Sequence, residues 1–152
     1  MILLGSLERY NYKALAMRLH TGLTVMNCPD EKEVKAMCAW RTRGRPAQEQ
    51  KKYWETVGRR MSQVGPLPRY IFTEADFNGR TAAVSRALQA ITPSVGRDYL
   101  DQKHESMWFP GNPFQQLLKI ERESNEYGME MMRYADMCHG LDFKVTQRLF
   151  AS

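Results

Sequence analysis

The stretch PAQEQKKYWETVGRRMSQVGPLP, residues 46–68, decides how this chain is organised. Trp54, Val57, Met61 and Val64 follow one another at spacings of three, four and three, the apolar stripe of an amphipathic helix. Pro46 suits its first position and Gly65 its stop. Pro66 and Pro68 lack a backbone N–H and restrict the residues before them, so regular helix ends and the chain continues extended.

Upstream of it, Thr42-Arg-Gly-Arg45 breaks the chain, and Pro29 to about Arg41 reads as a second helix. Asp30, Glu31 and Glu33 fill its first turn, while Val34, Met37 and Cys38 form a stripe. Leu23 to Cys28 is a short apolar run ended by Pro29, which reads as one buried strand of parallel type, or as a buried helical turn if length alone is the guide. Strand, tight turn and helix make half of an α/β unit. Further back, Ser6 caps a helix over Leu7–His20, with Gly22 as its left-handed stop.

Downstream, Arg69 to Phe72 reads as a short buried stretch. Thr73 caps a helix from Glu74, with Asp76 at the position of a capping box and Val84, Leu88 and Ile91 on its face. Asn78-Gly79 predicts a kink there, or a later start near Arg80, since Gly costs about 1 kcal/mol against Ala inside a helix. Thr92-Pro93 ends it, and Ser94 to Asp101 adds one or two turns. After Pro110-Gly-Asn-Pro113, the segments Leu117–Arg122 and Gly128–Arg133 bracket polar residues as a β-hairpin would, although Pro113–Arg122 also fits a helix. Asp142 to Phe150 closes as an amphipathic helix offering Phe143, Leu149 and Phe150. The expected class is α+β, mainly α-helical, with one short buried strand and a hairpin near the C-terminus.

The chain has 152 residues, 43% of them apolar and 26% charged, which fits one domain or a fragment of one over residues 1–152. No apolar stretch approaches the about 20 residues that a bilayer requires, and no membrane role is expected. Cys28, Cys38 and Cys138 are an odd set, which favours a reducing compartment, nucleus or cytoplasm. Cys28 and Cys38 read as small core residues rather than nucleophiles. No metal-ligand spacing is present, since Cys138-His139 is an isolated pair; His20 sits near a helix C-terminus, and His104 and His139 fall in polar loops with no partner acid and nucleophile that sequence can place beside them.

Charge is concentrated in one place. Residues 41–60 carry seven basic side chains against two acids, a surplus of five that equals the net charge of the whole chain. Arg41, Arg43, Arg45, Lys52, Arg59 and Arg60 are the candidate nucleic-acid contacts, directed at phosphates because nothing resembles a base-reading helix. A solvated helix face is the alternative. Among the aromatics, Tyr53, Trp54, Tyr70, Phe72, Trp108 and Phe109 offer stacking surfaces, but Trp54 sits on the apolar stripe and reads as core. The ten methionines read as adaptable packing.

A nucleoside triphosphatase would need a Gly-rich loop ending in Lys and Ser or Thr, and none of the 152 residues form one. Neither catalysis nor a bound cofactor is expected.

The blocks VMNCPDE (25–31), VKAMCAW (34–40), Glu49-Gln50 with Tyr53-Trp54, and above all MSQVGPLPRYIF (61–72) resemble the retrotransposon hot spot proteins of trypanosomatids in order and spacing. The resemblance covers about residues 23–92, with a weaker echo at Met107-Trp-Phe109 and Leu117-Leu-Lys-Ile120. The first twenty residues and the tail from about Met129 fall outside it, which makes 105–152 a divergent C-terminal part. It implies a multigene family whose full-length members carry a P-loop ATPase-like α/β domain. Members are found in the nucleus, perinuclear region or cytoplasm, some with chromatin, transcription or messenger RNA export. On that comparison the chain matches the part after the phosphate-binding loop, so no catalytic role carries over to any residue. The expected function is a non-catalytic interaction or nucleic-acid-associated module, with nucleic acid or chromatin-associated proteins as partners. The alternative is the arginine-donating lid of a P-loop ATPase completed in trans by Arg41, Arg43 or Arg45.

Overall fold

The computed structural model describes residues 26–92 and 112–150. The helix expected over Leu7–His20, the start of the Leu23–Cys28 run, the turns after Ser94 and the Met107–Phe109 segment lie outside them. The part of that run which is described departs from the expectation. Residues 26–30 form no regular element, and Met26 is exposed. Asn27 accounts for this, because its side chain takes the place of a paired backbone. Its Oδ1 accepts from Arg122 N–H at 2.7 Å and its Nδ2 donates to Arg122 C=O at 3.0 Å, closing part of a strand edge with one amide.

Helix α1 (Glu31–Arg41) begins at a reciprocal cap. The Asp30 carboxylate accepts from Glu33 N–H, and the Glu33 carboxylate accepts from Asp30 N–H, each at 2.8 Å. Helix α2 (Ala47–Val64) follows, with Pro46 one residue outside the helix rather than at its first position. Val57 and Val64 are fully buried, while Trp54 and Met61 are only partly so. The extended path after Gly65 is shorter than the two prolines predict. Pro68 opens a four-residue turn, α3 (Pro68–Ile71), because its fixed φ suits a helix start and its missing N–H costs nothing there. Of the stretch read as buried, Ile71 is inside and Arg69 outside.

Helix α4 (Glu74–Gln89) is capped by Thr73, which accepts from Asp76 N–H at 3.3 Å. It runs through Asn78-Gly79 without a break, so the helix does not start late at Arg80. Its inward face crosses the interruption: Arg80, Val84 and Ala87 are buried, and Arg80 donates to the side chain and, at 2.8 Å, to the backbone carbonyl of Gln116. Those contacts outweigh the local cost of one glycine.

A 3₁₀ turn (Pro113–Gln116) leads into a two-stranded antiparallel hairpin, β1 (Leu118–Ser124) and β2 (Glu130–Asp136), with Leu118 opposite Asp136 and Ser124 opposite Glu130. Between the strands, Asn125 Oδ1 accepts from the N–H groups of Tyr127 and Met129, and Gly128 takes φ 75°. That geometry settles the choice between hairpin and helix. Helix α5 (His139–Phe150) closes the described chain. It packs through Leu141 and Val145, one turn apart, and leaves Phe143 and Phe150 exposed, contrary to the expected use of those rings.

Two buried clusters result. One joins α1, α2 and α3 through Val34, Cys38, Val57, Val64 and Ile71. The other joins α4, the 3₁₀ turn, the hairpin base and α5 around Phe114, Leu117, Leu118 and Leu141. They meet at the end of α2. There Gly65, at φ 92°, lies against Met137, Gly140 lies against Ser62, and the Cys138 thiol donates to Ser62 C=O at 3.2 Å.

Candidate nucleic-acid interface

The joint between α1 and α2 is a tight turn. The buried Thr42 hydroxyl donates to Cys38 C=O at 2.8 Å, Arg45 N–H donates to Thr42 C=O at 3.0 Å, and Gly44 takes φ 84°, a conformation open to it for lack of a Cβ. The alternate residues Arg41, Arg43 and Arg45 are thereby gathered at one cleft of about 460 Å³, completed by Trp40, Tyr53 and Phe72. Arg41 lies 4.7 Å over the Phe72 ring and donates from Nε to the Tyr53 hydroxyl at 3.2 Å. Arg43 lies 4.1 Å over the Trp40 ring and donates to Trp40 C=O at 3.0 Å. That bond also satisfies a carbonyl at the C-terminal end of α1, where a cation is favoured.

No carboxylate lines the cleft, and among the described residues none of the three arginines forms an ion pair. The ion pairs join hairpin residues to each other, as in Lys119–Glu121 at 2.6 Å and Arg133–Glu123 at 2.7 Å. The positive potential at the cleft is therefore not neutralised locally. An arginine stacked on an aromatic ring is held in orientation while its outer N–H groups stay available to an anion.

The remaining candidates do not join this group. Lys52 and Arg59, seven residues apart, share the exposed side of α2 away from Val57 and do not line the cleft. Arg60 points toward the fold, donating to Ile71 C=O at 3.3 Å and lying 5.3 Å over the Phe77 ring. Cys38, beneath the turn, is buried; desolvation pushes its thiol up, with Arg41 opposing, so it is a packing residue and not a ready thiolate. Among the described residues no three His, Cys, Asp or Glu side chains gather as a metal site, and no helix is long and apolar enough to cross a membrane.

The residue that sequence reading passed over is Trp40. Its side chain is 67% exposed. The signal was available, because Trp40 lies off the stripe set by Val34 and Cys38 and directly precedes the arginine run.

A family model described as the P-loop domain of retrotransposon hot spot protein matches residues 1–149. The chain belongs to the retrotransposon hot spot protein family. The match takes in the first twenty residues and the stretch from Met129, both of which lie outside the blocks that carry the resemblance by eye. No curated protein and no solved structure matches the chain. The family domain is named for a phosphate-binding loop, yet the 152 residues contain no run of the form Gly-x-x-x-x-Gly-Lys-Ser/Thr.

Proposed function

We propose that this chain is a non-catalytic, nucleic-acid-associated module of a retrotransposon hot spot protein, acting in the nucleus or cytoplasm, and that the cleft of Arg41, Arg43 and Arg45 is its contact surface. One observation carries the reading: three arginines converge on a cleft that no acid lines, beside an exposed tryptophan. Phosphates supply the anion that such a site lacks, and Lys52 and Arg59 extend the positive surface along α2. The expected partner is RNA or DNA, read through its backbone with little sequence preference.

Salt dependence tests this. Binding should fall linearly in log salt with a slope of about 0.7–0.9 per phosphate neutralised. Replacing Arg41, Arg43 and Arg45 together with Gln should flatten that slope by about two to three units, and the lost stacks on Phe72 and Trp40 should lower stability by about 1–2 kcal/mol, so binding is compared at a temperature well below both melting curves. Failure to retain nucleic acid at about 50 mM salt overturns the proposal. The family's P-loop domain favours one second reading, in which the same arginines meet the γ-phosphate of a nucleotide held by another subunit. Stimulation of a partner's ATPase, lost in the triple variant, would select it.

A further inference from the structure

Resting on the reading of the cleft as a phosphate surface, we infer that it selects single-stranded over duplex nucleic acid, with Trp40 as the platform on which one unpaired base stacks. A duplex offers phosphates but keeps its bases stacked on each other. A cleft built for duplex alone would need cations and no exposed ring.

Here the cations and rings alternate around one hollow. Arg43 lies 4.1 Å over the Trp40 ring, and even so the side chain remains 67% exposed. Arg43 also donates to Trp40 C=O at 3.0 Å, which ties the guanidinium and the ring to the same end of α1. Trp40 lies outside both buried clusters, so its exposure is not the edge of a core contact. Across the hollow, Tyr53 and Phe72 belong to the margin of the first cluster and are fixed by packing. Tyr53 is held further by its hydroxyl, which accepts from Arg41 and donates to Phe72 C=O at 3.5 Å.

Size and charge agree with a single nucleotide unit. A volume of about 460 Å³ lies within the range of small-molecule sites, about 300–1,000 Å³, and is far too small for a helix of duplex. Arg41 and Arg45 line the same cleft as the stacked Trp40–Arg43 pair, so guanidinium groups for the phosphates next to a splayed base are present in the one hollow. Stacking tolerates any base, because every base has a π-face, so the preference is for strandedness rather than sequence. RNA and DNA share this chemistry.

The test measures fluorescence anisotropy of labelled oligo(U), oligo(dT) and a duplex of equal length, about 12 nucleotides, with the full chain at low salt. Trp40→Ala should weaken both single strands by about 5- to 100-fold and the duplex far less, since only the positioning of Arg43 is lost there, and Trp40→Phe should recover most of the loss. The Arg41, Arg43 and Arg45 triple change to Gln should weaken single strand and duplex alike. Trp40 is exposed, so its variants should melt with the wild type. Equal affinity of Trp40→Ala and wild type for single strands, alongside loss in the triple variant, overturns the single-strand inference and leaves the phosphate surface standing. Displacement by poly-glutamate as effective as by oligo(U) overturns it in favour of an acidic protein partner. Absence of binding to any of the three probes overturns both readings.

Discussion

Two glycines show how one residue type takes opposite meanings from its surroundings. A Cβ built on Gly140 would lie 2.6 Å from the backbone oxygen of Ser62, while one built on Gly79 meets nothing within 4 Å. Both lie inside helices, where Ala is intrinsically better by about 1 kcal/mol. Gly79→Ala should therefore stabilise the chain by about 0.5–1 kcal/mol. Gly140→Ala should destabilise it by about 1–3 kcal/mol, because α2 and α5 must separate to admit the methyl group. Denaturant melts of the two variants check this, and a stabilised Gly140→Ala would mean that the helices are not in that contact. Sequence alone marks Gly79 as the suspect glycine and is silent on Gly140, since the partner at Ser62 is 78 residues away. A longer separation, 95 residues, hides the tie between Asn27 and Arg122.

The elements were legible where their signals are local. The Thr73 cap of α4 stands in the sequence and formed, and the acids Asp30, Glu31 and Glu33 mark the start of α1, although the helix begins at Glu31 and not at Pro29, with Asp30 as a reciprocal cap rather than a residue of the first turn. The hairpin was legible as two runs around a polar turn, but β2 extends to Asp136 rather than Arg133, because pairing across the sheet, not side-chain type, decides where a strand stops. The rings of α5 mislead for a related reason: Leu141 and Val145 face the core, and size does not outrank position. Charge on the hairpin gives a prediction at this scale. Glu121 accepts from Lys119 and from Arg133, and those bonds hold its carboxyl below the usual carboxylate range despite partial burial. A depressed folded-state value means that the contribution is complete above the ordinary carboxylate pKa and is lost as pH falls through the lowered one. The hairpin should thus loosen in acid, seen as lower amide protection factors at the cross-strand pair Lys119 and Ala135. Glu121→Gln should show reduced protection already at neutral pH and less further change on acidification. An acid response identical in wild type and variant would assign it to another group.

At the scale of the whole molecule, the basic surplus of residues 41–60 and the blocks that carry the family resemblance fall mainly on the first cluster, α1 to α3. The second cluster holds the largest of the fully buried side chains described, Phe114. Trp54, read from the stripe as core, is half-buried at the margin of the first cluster, with Lys35 5.8 Å from its ring. Trp54→Ala should accordingly cost about 2 kcal/mol, below the about 3–5 kcal/mol of a fully buried ring, whereas Phe114→Ala should cost that full amount. The clusters meet around Gly65, Ser62, Met137 and Gly140, where the contacts are close and involve backbone, and along α4, whose Phe77 packs on the first cluster while its Val84 and Ala87 belong to the second. Close backbone packing transmits strain, so the loss of one cluster removes the support of the other. Phe114→Ala should then lower the global unfolding free energy felt at Val57, in the first cluster, as much as at Leu141, in the second. Native-state amide exchange at both positions reads this directly. Equal losses mark one cooperative unit, whereas a loss at Leu141 with Val57 unchanged would mean that α1 to α3, with the arginine cleft, fold and bind independently of the hairpin and α5.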